Sequence, residues 1–372
     1  FNSEGHFTGH FLGANCNGLQ KVAAVQEYLA TNSLSSNPAP APNNSKAHIE
    51  VYGNSSDDWP MLELASSNAD AHYNDFVPAS PARQLRLILQ MLRVPQYIKN
   101  LFVFIPIFFA GQLFELDVLL QALSCFVAFC CISSFIYVLN DWQDRESDRS
   151  HPYKRFRPLA YGAVSSRTAL ISACLLLLLS VGISTALNWQ TCGVVCFYLL
   201  LNLAYVYYFK NIALFDLCCV ALGFNLRVFA GASACGISVS AWLVLMVFLL
   251  SMFLVAGKRW DDLGRSQLQH HNIRRSLYGY NKDFALSTLT FLSAINTVCY
   301  ILYTMDTTVM ERLHSHYVYI TAFWVVLGNL RYLQNIFVFK QGFSPTKILL
   351  HDRALALCLV GWLLSMGVIL YV

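Results

Sequence analysis

Charged side chains make up only 12% of the 372 residues, while 56% are hydrophobic and 14% aromatic. Soluble domains carry about 25% charged residues, so an ordinary globular enzyme is disfavoured. Disorder and nucleic-acid binding are excluded for the same reason. The twelve cysteines contain no Cys-x-x-Cys pair, which removes zinc-type spacing. Eleven of them sit in apolar stretches, as in Cys130-Cys131 and Cys218-Cys219, and read as buried thiols packing as small hydrophobes. A basic start leading into an apolar run, the mark of a signal peptide, is also missing. The chain opens on Phe1, which points to a sequence that begins inside a longer natural protein.

What charge there is lies unevenly. Residues 1–82 hold two basic and eight acidic residues, a net of −6, and residues 83–372 hold 23 basic and 13 acidic, a net of +10. The division predicts a small acidic segment over 1–80 and a basic, apolar domain over 85–372. In the first, a helix is expected near Gly18–Ala30, a polar linker over Thr31–Ser45, a short strand over His48–Tyr52 and a second helix from Trp59-Pro60.

Beyond Pro81, apolar stretches of about 20 residues, enough to cross a bilayer, recur to the end. They fall near 98–114, 117–139, 167–187, 190–208, 212–233, 239–257, 284–304, 315–336 and 353–371. Nine alternating spans place the basic residues around them on one face, with Arg312 alone on the other. The positive-inside rule makes the basic face cytoplasmic. The expectation is an all-α integral protein of the cell membrane, with its N-terminus inside and its C-terminus outside.

Two loops on that face carry chemistry. The second span ends in Asn140-Asp141-Trp142-Gln143-Asp144-Arg145-Glu146-Ser147-Asp148. If the helix continues, Asp141, Asp144 and Asp148 share one face, and carboxylates so crowded need a cation between them. Hard oxygen donors favour Mg²⁺. Lys154, Arg155 and Arg157 follow at once, and metal-binding carboxylates beside phosphate-binding cations suit a diphosphate leaving group. The second loop opens Gly257-Lys258-Arg259-Trp260-Asp261-Asp262 and supplies another acidic pair beside cations. Within the fifth span, Asp216 reads as either a snorkelling structural group or a catalytic one. Arg227, deeper, reads as either a lipid-phosphate ligand or a helix cap.

The stretch Asn140 to Asp148 resembles the signature of the UbiA superfamily of intramembrane polyprenyl transferases. The resemblance covers about 85–372 and implies nine helices around a lateral cavity. The continuation His151-Pro152-Tyr153-Lys154-Arg155-Phe156-Arg157-Pro158 is similar to the branch that transfers phosphoribose to decaprenyl phosphate in building a cell-wall precursor. Tyr97-Ile98-Lys99-Asn100, Arg227-Val228-Phe229-Ala230-Gly231, Arg274-Arg275-Ser276-Leu277 and His351-Asp352-Arg353 are similar to it as well. By that resemblance Asp141, Asp144 and Asp148 hold Mg²⁺ and Asn140 orients a ligand. Lys154, Arg155, Arg157, Lys258, Arg259, Lys99 and Arg227 bind substrate phosphates, and Asp261 and Asp262 form the second acidic cluster. The implied partners are phosphoribosyl diphosphate, a polyprenyl phosphate and the bilayer, with self-association left open. Adjacent Asp261-Asp262 and the Lys-Arg-Phe-Arg run both depart from prenyl-diphosphate-using relatives. Transfer of a prenyl group to an aromatic or other acceptor remains the alternative enzyme, and a transporter or lipid-binding scaffold the alternative of another class.

The acidic segment resembles the C-terminal half of haloacid-dehalogenase-type phosphatases, an α/β fold. Lys21 matches the lysine that steadies the phospho-aspartate, and Asp58 a metal ligand, with Asn54 in place of the usual first aspartate. The nucleophile motif Asp-x-Asp-x-Thr/Ser does not occur before Lys21, so no phospho-enzyme forms and no phosphatase activity is expected of this chain. Truncation and degeneration both explain that absence.

Overall fold

The computed structural model describes residues 22–23, 25–27, 51–53, 59–62, 64–65, 71–73, 81–149, 154, 157–160, 162–268, 279–339 and 352–371. Lys21, Asn54, Asp58 and Arg155 lie outside them, as do the polar linker over 31–45 and Arg274-Arg275. The chain divides into a smaller unit, residues 1–91 with 141–166, and a larger one, residues 92–140 with 167–372.

In the smaller unit, β1 (Val51–Gly53) pairs in parallel with β2 (Ala71–Tyr73), Val51 opposite Ala71. Helix α1 (Trp59–Leu62) lies between them in sequence, and Leu62 is buried. Parallel strands need a crossover connection, which the intervening helix provides. The expected first strand and second helix are present, while β2, only three residues long, left no legible alternation. Helix α2 (Pro81–Met91) follows.

Among the described residues, seven single helices are long and apolar enough to cross a membrane. They are α4 (Leu116–Gln143), α6 (Ser166–Leu187), α7 (Trp189–Tyr207), α8 (Phe215–Ala234), α9 (Ala241–Leu268), α10 (Lys282–Met305) and α13 (Arg353–Tyr371). The other two expected spans are each built of two shorter pieces. Over 98–114 the chain forms a 3-10 stretch, Val94–Phe104, and then α3 (Ile105–Phe109). Pro106 opens α3 where a missing N–H does no harm, and Arg93 enters the stretch from the left-handed region (φ 55°). Over 315–336 a 3-10 turn, Val318–Thr321, leads into α12 (Ala322–Phe337). A short helix α5 (Arg145–Arg149) follows α4, and α11 (Thr307–Arg312) follows α10.

Burial sorts the helices. The apolar windows of α4 and α8 are 61% enclosed, those of α6 and α13 only 17%. Leu175, Leu178, Leu364 and Val368 stand exposed on the latter two, the surface that lipid covers. Helix α8 is central because it is rich in small residues: Ala221, Gly223, Ala230, Gly231, Ala232 and Ala234 are all buried. It packs against α7, α9 and the 3-10 stretch, as small-residue faces do where backbones must approach closely. Interhelical hydrogen bonds add to this: Ser180 Oγ donates to the Ala128 carbonyl at 2.8 Å, and Asn188 Nδ2 to that of Ser233 at 2.8 Å.

Among the described glycines, the tightest approach is at Gly231, where a Cβ would collide with the Val103 carbonyl. Gly231→Ala is therefore expected to lower stability by about 3 kcal/mol, the upper end of overpacking. Gly182, with open space around it, is the control. Thermal unfolding in detergent should show Gly182→Ala at the wild-type midpoint and Gly231→Ala well below it.

Candidate active site

Helix α4 carries the first acidic motif to its end. The helix breaks at Asp144, so the expected single face from Asp141 to Asp148 is not formed by one continuous helix. Asp148 resumes on α5, with its N–H donating to the Asp144 carbonyl at 2.8 Å. Asp141 and Asp148 nevertheless meet. Nη1 of Arg157 donates to Asp141 Oδ1 at 2.9 Å and to Asp148 Oδ2 at 2.7 Å. Both aspartates are buried, and the Arg157 side chain is 27% exposed. The loop that returns Arg157 is pinned by Arg149 Nε on the Ala160 carbonyl at 2.8 Å, over buried Leu159 and Ala160.

Two expectations change here. Arg157, expected on a phosphate, bridges two carboxylates instead. Among the described residues, no three His, Cys, Asp or Glu side chains gather closely enough to hold a metal ion. Asp144 is half-buried at the helix break. Two converging carboxylates completed by water and substrate phosphates are, however, the coordination that Mg²⁺ uses. A positive group already lies between Asp141 and Asp148, so their donor chemistry fits a divalent cation.

The second motif is organised differently. Arg259, expected to meet phosphate, is 3% exposed and turned inward. Its Nε donates to Asp216 Oδ2 at 2.6 Å and its Nη1 to Asp262 Oδ2 at 2.8 Å. Asp216 is fully buried and accepts a further bond from the Tyr280 hydroxyl at 3.0 Å. That hydroxyl in turn accepts from the Leu214 N–H at 2.9 Å. Leu214 has φ 67° and ψ −45°, with the Phe215 N–H bonded to the Ala213 carbonyl at 2.8 Å. This is a γ-turn of the rare, strained kind, held by the Tyr280 hydroxyl at the entry to α8. Burial pushes the Tyr280 phenol above its ordinary pKa, which keeps the proton that Asp216 accepts. Lys258 is exposed and Asp261 half-buried beside this network.

The deeper polar residue, Arg227, is buried with all three guanidinium nitrogens engaged. Nε donates to Asn100 Oδ1 at 2.8 Å, Nη1 to the Gly223 carbonyl at 2.7 Å and Nη2 to the Tyr198 hydroxyl at 2.8 Å. Lys99, next to Asn100, is half-buried. Asp352 accepts from the Leu355 N–H at 2.7 Å, capping α13. The Arg331 guanidinium beside Asp352 holds its carboxyl below the usual carboxylate range. Sequence reasoning did not assign Tyr280, Tyr198 or Asn100 to a site; Tyr280 bonds Asp216 across 64 residues, a pairing that no local pattern records.

Comparison with known proteins follows from this geometry. Residues 101–262, which contain both motifs, match the model of the UbiA prenyltransferase family. The chain is 33% identical over 294 residues to the decaprenyl-phosphate phosphoribosyltransferase of Mycolicibacterium smegmatis, covering 76% of this chain and 92% of that one. The chain belongs to the UbiA prenyltransferase family. It is 30% identical over 297 residues to the enzyme of the same name from Mycobacterium tuberculosis, covering 79% of this chain and 97% of that one. Among solved structures it resembles a UbiA homolog from Archaeoglobus fulgidus bound to GPP and Mg²⁺, with a TM-score of 0.59 at 19% identity. That likeness covers 76% of this chain and 99% of the other, and it shows the UbiA fold. The protein is thus an integral membrane transferase.

Proposed function

We propose that the protein transfers 5-phosphoribose from 5-phosphoribosyl 1-diphosphate to a polyprenyl phosphate and releases diphosphate. The observation that carries this reading is the pair of buried carboxylates, Asp141 and Asp148, converging on one positive group. It occurs in a chain whose relatives are named for transfer to decaprenyl phosphate.

Asp141 and Asp148, with Asp144 at the helix break, are the residues to hold Mg²⁺, which when bound neutralises charge on a departing diphosphate. Arg157 keeps the two carboxylates converged. Lys154, Arg155 and Lys258 bind phosphate oxygens, a donor with phosphate at both C1 and C5 requiring two such sites. Asn140 orients the sugar. Arg259 acts through Asp262, fixing the second acidic pair rather than touching phosphate. As the bond from C1 to the diphosphate oxygen breaks, the sugar gains oxocarbenium character, which the surrounding charges stabilise. An oxygen of the already ionised lipid phosphate forms the new bond to C1, so no side-chain nucleophile is required. Nine membrane passages, counting the two composite segments, with both motifs at the cytoplasmic face and the C-terminus outside, complete the proposal. Residues 1–80 are read as part of a phosphatase-like domain, a reading that the strand–helix–parallel strand order supports.

The test offers purified protein polyprenyl phosphate, Mg²⁺ and either labelled phosphoribosyl diphosphate or labelled prenyl diphosphate. Lipid product from the first donor, lost in Asp144→Asn, supports the proposal. Product from prenyl diphosphate alone, on an aromatic acceptor, replaces it with prenyl transfer.

A further inference from the structure

Arg312 stands apart from the other cations of the chain. It is the one basic residue that nine alternating spans leave on the face away from the acidic loops, and no step of the proposed transfer uses it. It ends α11, is exposed, and makes no hydrogen bond or ion pair among the described residues. The acidic residues near it in sequence do not pair with it. Asp306 accepts from Trp242 Nε1 at 2.9 Å and from the Thr308 N–H at 2.8 Å, and Glu311 is exposed.

Arg312 lines a cavity of about 270 Å³ formed where α3, the link from α8 to α9, and the junction of α10 with α11 meet. Trp242, also in its wall, precedes Asp262 of the second acidic motif by 20 residues on α9. That is about 30 Å of helix, the thickness of a bilayer's hydrocarbon core. The cavity therefore opens at the membrane face opposite the second motif. Leu243, Met246, Val309 and Leu313 make its wall apolar, and Arg312 is the only charged side chain lining it. Tyr303, 6% exposed, lines it too. Its hydroxyl lies within electrostatic reach of Arg312 and makes no hydrogen bond among the described residues.

An unpaired guanidinium and an unpaired phenol above an apolar wall suit an anion joined to a hydrocarbon. The anion meets the two donors, and the chain covers the wall. Trp and Tyr are also the residue types that gather at the head-group level of a bilayer. Size and charge narrow the choice. Pockets for whole drug-sized ligands run to about 300–1,000 Å³, so this one accepts a head group and the first carbons of its chains. One guanidinium matches the single negative charge of a phosphodiester, whereas a zwitterionic head group brings a second cation beside Arg312. A monophosphate ester brings a second negative charge that no lining side chain meets.

We infer that this cavity binds the head group of an anionic glycerophospholipid, with Arg312 and Tyr303 holding its phosphodiester. The site is separate from the proposed reaction and does not rest on it.

The experiment places full-length protein in phosphatidylcholine nanodiscs containing a trace of phosphatidylglycerol with a diazirine on its acyl chain close to the glycerol. After irradiation, peptide mass spectrometry maps the labelled residues. Label is expected on Leu243 and Val309 of the wild type, displaced by unlabelled phosphatidylglycerol and not by further phosphatidylcholine. Arg312→Gln should lower it about tenfold, the worth of one hydrogen bond to a charged group, while label elsewhere on the protein stays unchanged. Arg312→Lys should keep most of it. Val239→Trp, which fills the cavity and leaves the arginine in place, should remove it. Arg312 has no bond to lose, so its variants should unfold at the wild-type temperature. Equal label at Leu243 and Val309 in wild type and Arg312→Gln overturns the inference, as does equal displacement by phosphatidylcholine. Displacement by oleate or polyprenyl phosphate at lower concentration than by phosphatidylglycerol gives the cavity to that lipid and overturns it equally.

Discussion

Arg259→Met is expected to abolish transfer and to lower stability by about 3–5 kcal/mol, the scale of breaking one side of a buried ion pair. The magnitude follows from burial. Asp216 has no exposed surface, and Arg259 supplies the charged partner at 2.6 Å, Tyr280 contributing only a neutral hydroxyl. Removing the guanidinium leaves a fully buried carboxylate without its charged partner. The double variant Asp216→Leu/Arg259→Met separates structure from function, because replacing both partners by apolar groups of similar size is often close to neutral. Its melting temperature should return toward wild type. Its activity should not, since Asp262 still lacks the Nη1 contact that orients it. A single variant melting like wild type would refute the pairing, and a fully active double variant would refute the positioning role.

The second large effect belongs to Asp141→Asn. Loss of one carboxylate from the cation site should lower kcat by roughly 10²- to 10³-fold, the range seen when one group stabilising developing charge is removed. The Mg²⁺ concentration for half-maximal rate should rise in parallel. Folding should suffer less, because Arg157 keeps its 2.7 Å bond to Asp148 and its side chain remains partly open to water. An unchanged Mg²⁺ requirement in a well-folded Asp141→Asn protein would place the metal elsewhere.

Much of the architecture was legible because membrane spans depend on length and hydropathy, which are local properties. Helices α4, α6–α10 and α13 lie where the apolar runs placed them. The first and eighth segments were legible as apolar stretches but not as two-piece elements. The first is entered by the left-handed turn at Arg93 and divided at Pro106, features that hydropathy does not register. At the site, residue types in the two motifs were readable and their partners were not. Arg157 reads as one more cation in a basic run, yet it bridges carboxylates 16 and 9 residues away. Arg259 meets Asp216 across 43 residues. Whether an arginine faces a phosphate or a carboxylate is decided by such long-range pairing.

The most direct measurement follows two labels of the donor in proteoliposomes containing polyprenyl phosphate and Mg²⁺. One label marks the 5-phosphate and the other the 1-diphosphate. The account predicts that the 5-phosphate label enters the lipid phase while an equal amount of the diphosphate label appears as free diphosphate in water. Both labels staying in water, with lipid product formed only when prenyl diphosphate is supplied, would contradict it.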